Sequence, residues 1–136
     1  MPEKKTVIIV VDDDAAVRSA LKFSLELDGL IVHACQSGEE LFCDPALADC
    51  GCIVLDYEMP AMSGMDVLDR LAMDRVVAPV IFMAGPVTPE IRRRALGKGA
   101  CLVLEKPLLD GSLSQQIHKL TTQVSGNGQR NQTQAL

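Results

Sequence analysis

The stretch Val7-Ile8-Ile9-Val10-Val11-Asp12-Asp13-Asp14 decides the fold. Its first five residues are apolar without alternation. A half-exposed strand would alternate, so this one reads as buried on both faces, as in a parallel sheet. Three more runs have the same character: Cys52-Ile53-Val54-Leu55, Val80-Ile81-Phe82-Met83 and Cys101-Leu102-Val103-Leu104. A weaker run, Leu30-Ile31-Val32-His33-Ala34, carries a polar residue and fits an edge strand.

Between the runs the period changes to that of helices. Val17, Ala20, Leu21, Ser24 and Leu25 fall at helical spacing, with Asp14 placed as an N-cap and Gly29 as a stop. Ser37 to about Asp49 reads as a second helix, with Ser37 and Glu40 at capping-box spacing and Pro45 disturbing its far end. Gly64 to Arg75 is a third, with Leu68, Leu71 and Ala72 facing inward. Pro89 to about Lys98 is a fourth, and Leu113, Ile117, Leu120 and Val124 space out a fifth. Five β-α units imply right-handed crossovers and a parallel sheet covered on both sides, an α/β domain over 5–124. The polar, Gly- and Gln-rich segment 125–136 reads as a flexible tail.

Composition narrows the function. The 136 residues carry 13 Lys plus Arg against 18 Asp plus Glu, a formal charge of −5, which argues against gripping a phosphate backbone. There is no Trp and only 3% aromatic residues, so few stacking platforms exist for bases. No apolar run approaches the roughly 20 residues that span a bilayer, so no membrane role is expected. The five cysteines, an odd number without an export signal, favour reduced thiols in the cytoplasm. Cys50-Gly-Cys52 lacks the usual zinc spacing and reads as buried packing.

In an open parallel sheet, ligands gather at the carboxyl ends of the strands. After the first run come Asp12, Asp13 and Asp14; after the third, Asp56; after the fifth, Glu105, Lys106 and Pro107. Crowded carboxylates repel one another, and a hard divalent cation relieves this. Oxygen ligands favour Mg²⁺ over zinc, and the lysine suits a further negative group. The set fits a phosphoryl group held by metal on one side and ammonium on the other. Any one of these acids alone would read as a solvated turn residue.

Val10-Val11-Asp12-Asp13-Asp14, Leu55-Asp56-Tyr57-Glu58-Met59-Pro60 with Met62-Ser63-Gly64, and Glu105-Lys106-Pro107 together resemble the receiver domain of two-component response regulators. The texture around Pro79-Val80-Ile81-Phe82-Met83 is nearest to receivers of the nitrogen-fixation class of regulators. The resemblance implies a flavodoxin-like (βα)5 three-layer sandwich with a five-stranded parallel sheet in order 2-1-3-4-5. It implies Asp56 as acceptor of a phosphoryl group from a phosphohistidine on a sensor histidine kinase or phosphotransfer protein. Mg²⁺, or Mn²⁺, would be held by Asp13 and Asp56 directly, by Asp12 through water and by the Glu58 backbone carbonyl. Lys106 would bind phosphoryl oxygens, and Pro107 would follow a cis peptide. Such a domain is no enzyme beyond its own phosphorylation and dephosphorylation. It would signal as a monomer or weak dimer by binding a downstream protein, with 89–124 as the candidate surface.

Two positions depart from the family pattern. The Ser or Thr usual at the end of the fourth strand is Ala84, and the aromatic usual in the fifth is Val103. An atypical switch is therefore expected; Thr88 in the following loop is a capping residue or a substitute hydroxyl. Arg92-Arg93-Arg94 reads as a solvated basic face or a docking surface. No helix-turn-helix follows, so direct DNA binding by this chain is not expected, although the chain also fits the isolated receiver of a longer transcription regulator. A pseudo-receiver that never takes phosphate is a further alternative, favoured by Ala84 and Val103 and opposed by Asp13, Asp56 and Lys106. A haloacid-dehalogenase-type phosphatase would use Asp12 and Asp14, but it leaves Asp56 without a role.

Overall fold

The structure, a computed structural model, describes residues 6–108 and 111–121. Along the chain run β1 (Val7–Val11), α1 (Ala15–Leu27), β2 (Ile31–Cys35), α2 (Gly38–Cys43), a short 3-10 turn (Pro45–Ala48), β3 (Cys52–Asp56), α3 (Gly64–Met73), β4 (Val80–Ala84), α4 (Pro89–Gly97) and β5 (Leu102–Glu105). A last helix, α5, occupies 112–121. Val124, the 125–136 segment and both ends of the 5–124 span lie outside the described residues.

The strands form one parallel sheet in the order β2-β1-β3-β4-β5, as the resemblance implied. Each of the four neighbouring pairs is parallel, so each connection crosses over the sheet and every helix lies against one face. Alternate residues of the unbroken apolar runs serve the two faces. Ile9, Val11, Ile53, Leu55 and Phe82 pack with Leu41 of α2, Val67, Leu68 and Leu71 of α3 and Ala95 of α4. Ile8, Val10, Val54, Ile81 and Met83 pack with Leu21 and Leu25 of α1 and Leu113 and Ile117 of α5. That two-sided burial is why β1, β3 and β4 show no polar alternation.

The helix starts follow local chemistry. Asp14 caps α1 by accepting from the Ala16 and Val17 amides, and Ser63 and Asp66 form a full capping box on α3. Thr88 caps α4 by accepting from the Ile91 amide, so its hydroxyl has an ordinary structural use. Two sequence expectations need correction. The second helix does not run to Asp49: it stops at Cys43, because the residue before a proline is pushed out of the helical region, and Asp44 is extended (φ −83°, ψ 120°). Ala72 is exposed, and Val67 takes the inward place beside Leu68 and Leu71.

β2 is an edge strand of the sheet, as its polar residue suggested. His33 there pairs with Asp44 at 2.9 Å. Lys22 of α1 donates to the Val32 carbonyl at 3.0 Å while ion-pairing with Glu26 at 2.7 Å.

Candidate functional site: an acidic corner at the carboxyl rim of the sheet

Parallel register brings the ends of β1, β3, β4 and β5 to one rim. Val11 pairs with Leu55, Asp56 with Met83 and Ala84 with Glu105. The residues that follow β1 and β5 therefore meet the last residue of β3. Asp12 is fully buried and Asp56 is 3% exposed, whereas Asp13 faces solvent.

Lys106 joins the two buried acids. Its Nζ donates to Asp12 Oδ2 at 3.0 Å and to Asp56 Oδ1 at 3.1 Å. The second Asp12 oxygen accepts from the Asp14 amide at 2.9 Å, and the Asp12 carbonyl accepts from Arg18 Nη1 at 2.8 Å. Asp12 is thus pinned on three sides. Burial pushes the Asp56 carboxyl up to about 6; the Asp12 charge adds to the rise, the Lys106 hydrogen bond opposes it, and Asp13 contributes a smaller rise. Burial alone would lower the Lys106 ammonium, but its bonds to Asp12 and Asp56 outweigh that and raise it.

Carboxylate oxygens of Asp12, Asp13 and Asp56 all lie within 4.8 Å of one another. An oxygen-only set of this kind, with one member exposed to solvent, suits a hard cation that keeps some of its water. The raised Asp56 carboxyl is the electrostatic complement: one lysine does not fully offset two buried acids, and a divalent ion beside them would.

The corner opens into a cleft of about 760 Å³. Tyr57, Glu58, Met59 and Pro60 line it from the loop after β3, and Ser63, Met65 and Asp66 from the start of α3. Tyr57 also packs on Phe82, ring centroids 5.8 Å apart, so it both shapes the opening and belongs to the core. Gly64 lets α3 begin tight against β3: a Cβ there would strike the Asp56 carbonyl oxygen and, at 2.8 Å, the Phe82 ring. The Lys106–Pro107 peptide is cis.

Ala84 ends β4 on this rim, 1% exposed and offering only a methyl group. Val103 is buried in β5 opposite Phe82. Three features escaped the sequence reading. Arg18 braces the Asp12 backbone. Glu105 Oε1 accepts from the Val87 amide at 3.0 Å and so ties the β4–α4 loop to the residue beside Lys106. Arg94, read as part of a solvated basic face or a docking surface, lines the acidic cleft. Its approach follows from how α4 packs on α3, where Lys98 one turn on reaches Asp69 at 2.7 Å, and it left no local signal in the sequence.

The sheet order and this corner define a receiver-type module. Residues 8–118 match the model of the response regulator receiver domain, and the chain belongs to that family. It is 35% identical over 106 residues to the C4-dicarboxylate transport transcriptional regulatory protein DctR of Rhodobacter capsulatus, covering 76% of this chain and 54% of that protein. It is 35% identical over 130 residues to the response regulator protein TmoT of Ectopseudomonas mendocina, covering 93% of this chain and 59% of that protein. The chain thus spans a little over half the length of these relatives. Among solved structures, FixJ-N superposes with a TM-score of 0.77 at 29% identity, covering 88% of this chain and 96% of that one. The chemotaxis protein CheY4 of Vibrio cholerae shares the fold, with a TM-score of 0.80 at 22% identity, 86% of this chain and 99% of that one. No helix among the described residues is long and apolar enough to cross a membrane.

Proposed function

We propose that this receiver accepts a phosphoryl group on Asp56 from a phosphohistidine of a sensor histidine kinase or phosphotransfer protein, in the cytoplasm, and then signals by binding a downstream protein. The observation that carries the reading is the Lys106 ammonium held between Asp12 and Asp56 at 3.0 and 3.1 Å, with Asp13 in the same oxygen cluster.

Asp56 is the nucleophile: a carboxylate oxygen forms the new P–O bond while the P–N bond breaks and its electron pair returns to the imidazole. Asp12, Asp13 and Asp56 would hold Mg²⁺ (or Mn²⁺), with the Glu58 backbone carbonyl as a further ligand. When bound, the ion offsets charge on the transferring oxygens. As the Asp56 carboxylate becomes an acyl phosphate its own charge is lost, and the Lys106 ammonium turns to the added phosphoryl oxygens. Asp12 keeps Lys106 placed throughout, because its own position is fixed by the Asp14 amide and by Arg18.

The buried methyl of Ala84 favours a second reading, a receiver surface that is never phosphorylated. Acetyl phosphate with Mg²⁺, read by intact mass on wild type and Asp56→Asn, separates the two. Addition of one phosphoryl group to wild type alone is expected. No addition to either protein favours the second reading, and equal addition to both removes Asp56 as the acceptor.

A further inference from the structure

Phosphorylation changes the charge at Asp56 from one negative unit to two, and it places three terminal oxygens in the cleft. Metal and Lys106 account for two of those oxygens. The third has no hydroxyl to meet at the end of β4, where Ala84 is buried with a bare methyl. A second cation lines the same cleft. Arg94 sits on α4 one turn before Lys98, the residue that reaches across to Asp69 on α3. Positions 94 and 98 lie on the same side of a helix. Arg94 therefore faces the start of α3, beside Met65 and Asp66, where the cleft opens. Its guanidinium makes no ion pair or side-chain hydrogen bond among the described residues. Arg92 of α4 and Lys98 at its C-cap are engaged, with the Val103 carbonyl and Asp69.

The geometry points to Arg94 as the residue that recognises the phosphoryl group on Asp56 in place of the missing hydroxyl. This rests on Asp56 being the phosphoryl acceptor. Arg94 is exposed, has no partner among the described residues and lines the cleft that the acids open into, and its fork of donors suits phosphoryl oxygens. The contact exists only after phosphorylation, so it is a differential contact of the kind a two-state switch requires. It acts directly on α4, the helix that the usual hydroxyl would influence through the β4–α4 loop. Signalling in this chain then runs through the length of an arginine side chain.

The test uses the full chain, with beryllium fluoride as the phosphoryl mimic in the presence of Mg²⁺. Tyr57 lines the cleft, and it is the sole tyrosine in a chain without tryptophan, so its fluorescence reports both ligands. Wild type, Arg94→Ala and Arg94→Lys are titrated first with Mg²⁺ and then with beryllium fluoride. Arg94→Ala is expected to weaken beryllium fluoride binding about tenfold, the scale of one charge-assisted hydrogen bond, with Mg²⁺ affinity unchanged within about twofold. Arg94→Lys is expected to recover part of the loss. Hydrogen exchange in α4 slows on beryllium fluoride binding in wild type and not in Arg94→Ala. Equal beryllium fluoride affinity in wild type and Arg94→Ala overturns the assignment, as does a loss of Mg²⁺ affinity as large as the loss for the mimic. If wild type binds the mimic no better than Asp56→Asn does, it is the acceptor assignment that fails.

Discussion

Lys106 and Asp56, 50 positions apart in sequence, meet at 3.1 Å at the carboxyl rim of the sheet. The ammonium is shared with Asp12, so one positive charge serves two buried acids. The corner is therefore under electrostatic load before any ligand arrives, and several measurable consequences follow from that load.

Asp56→Asn should stabilise the metal-free protein at neutral pH. The Asp56 carboxyl is raised to about 6 in the folded chain, mainly by burial. Unfolded, it ionises near 3.8, so between about pH 4 and pH 6 the folded state binds more protons than the unfolded state. Stability due to this group falls as pH rises through that window and stays low above it. Urea unfolding at pH 7.5 in EDTA should find the variant more stable by about 2 kcal/mol, with the difference vanishing below about pH 4. A less stable variant at pH 7.5 would refute this account of the load.

Lys106→Met removes the shared cation and leaves Asp12 and Asp56 facing each other. The cleft is open to water, so the cost is below that of a fully enclosed pair, about 2 kcal/mol in metal-free buffer. Saturating Mg²⁺ should raise the melting temperature of Lys106→Met by more than that of wild type, since the ion replaces part of the lost charge. Equal shifts in the two proteins would place the ion elsewhere.

Restoring a hydroxyl tests the division of labour between Ala84 and Arg94. Ala84→Ser in the Arg94→Ala background should recover most of the lost beryllium fluoride affinity. In the wild-type background the same substitution should add less than it does with Arg94 removed. Titration of the four proteins of this cycle gives the coupling, and strictly additive effects would mean that the two groups serve different oxygens or none.

Thiol labelling should divide the cysteines. Burial raises the thiols of Cys35 and Cys50 to about 11 and that of Cys52 to about 12. Cys43 and Cys101 are exposed. The folded protein at pH 7.5 should take up iodoacetamide at Cys43 and Cys101 within minutes, and the other three should react only after denaturation. Peptide mapping that finds Cys52 modified early would contradict the packing of β3.

Gly64→Ala probes the junction between β3 and α3. The added Cβ would be driven into the Asp56 carbonyl and the Phe82 ring. Backbone cannot yield as a flexible side chain would, so a loss of about 2 kcal/mol is expected in thermal or urea unfolding. Phosphorylation by acetyl phosphate should slow with it, because the strain falls on Asp56, the proposed acceptor. A neutral substitution would show that α3 can slide away from the strand.

Much of the architecture was legible because two-sided burial leaves a plain mark. Val7–Val11 could show no polar alternation once both faces were covered, and the acids that follow the first, third and fifth runs marked the rim. The sheet order came from the family resemblance, since apolar runs do not say which neighbour each strand chooses. The break at Asp44 was half visible: Pro45 was in view, but its effect on the residue before it shortened the helix more than spacing suggested. Ala72 misled because alanine is at home on either side of a helix. Within the site, Asp12, Asp13, Asp56 and Lys106 declared themselves by following strands. Arg94 did not, because its approach to the cleft depends on how α4 lies against α3, a packing angle that no local pattern encodes.

The Val32 carbonyl on the outer strand β2 is occupied by Lys22, itself held by Glu26. An incoming strand from another molecule would have to evict that ammonium before it could begin to pair along the margin. The same margin carries Ile31, an apolar residue that would otherwise invite such stacking. A single lysine projected from the neighbouring helix thereby discourages another strand from adding along this side of the sheet.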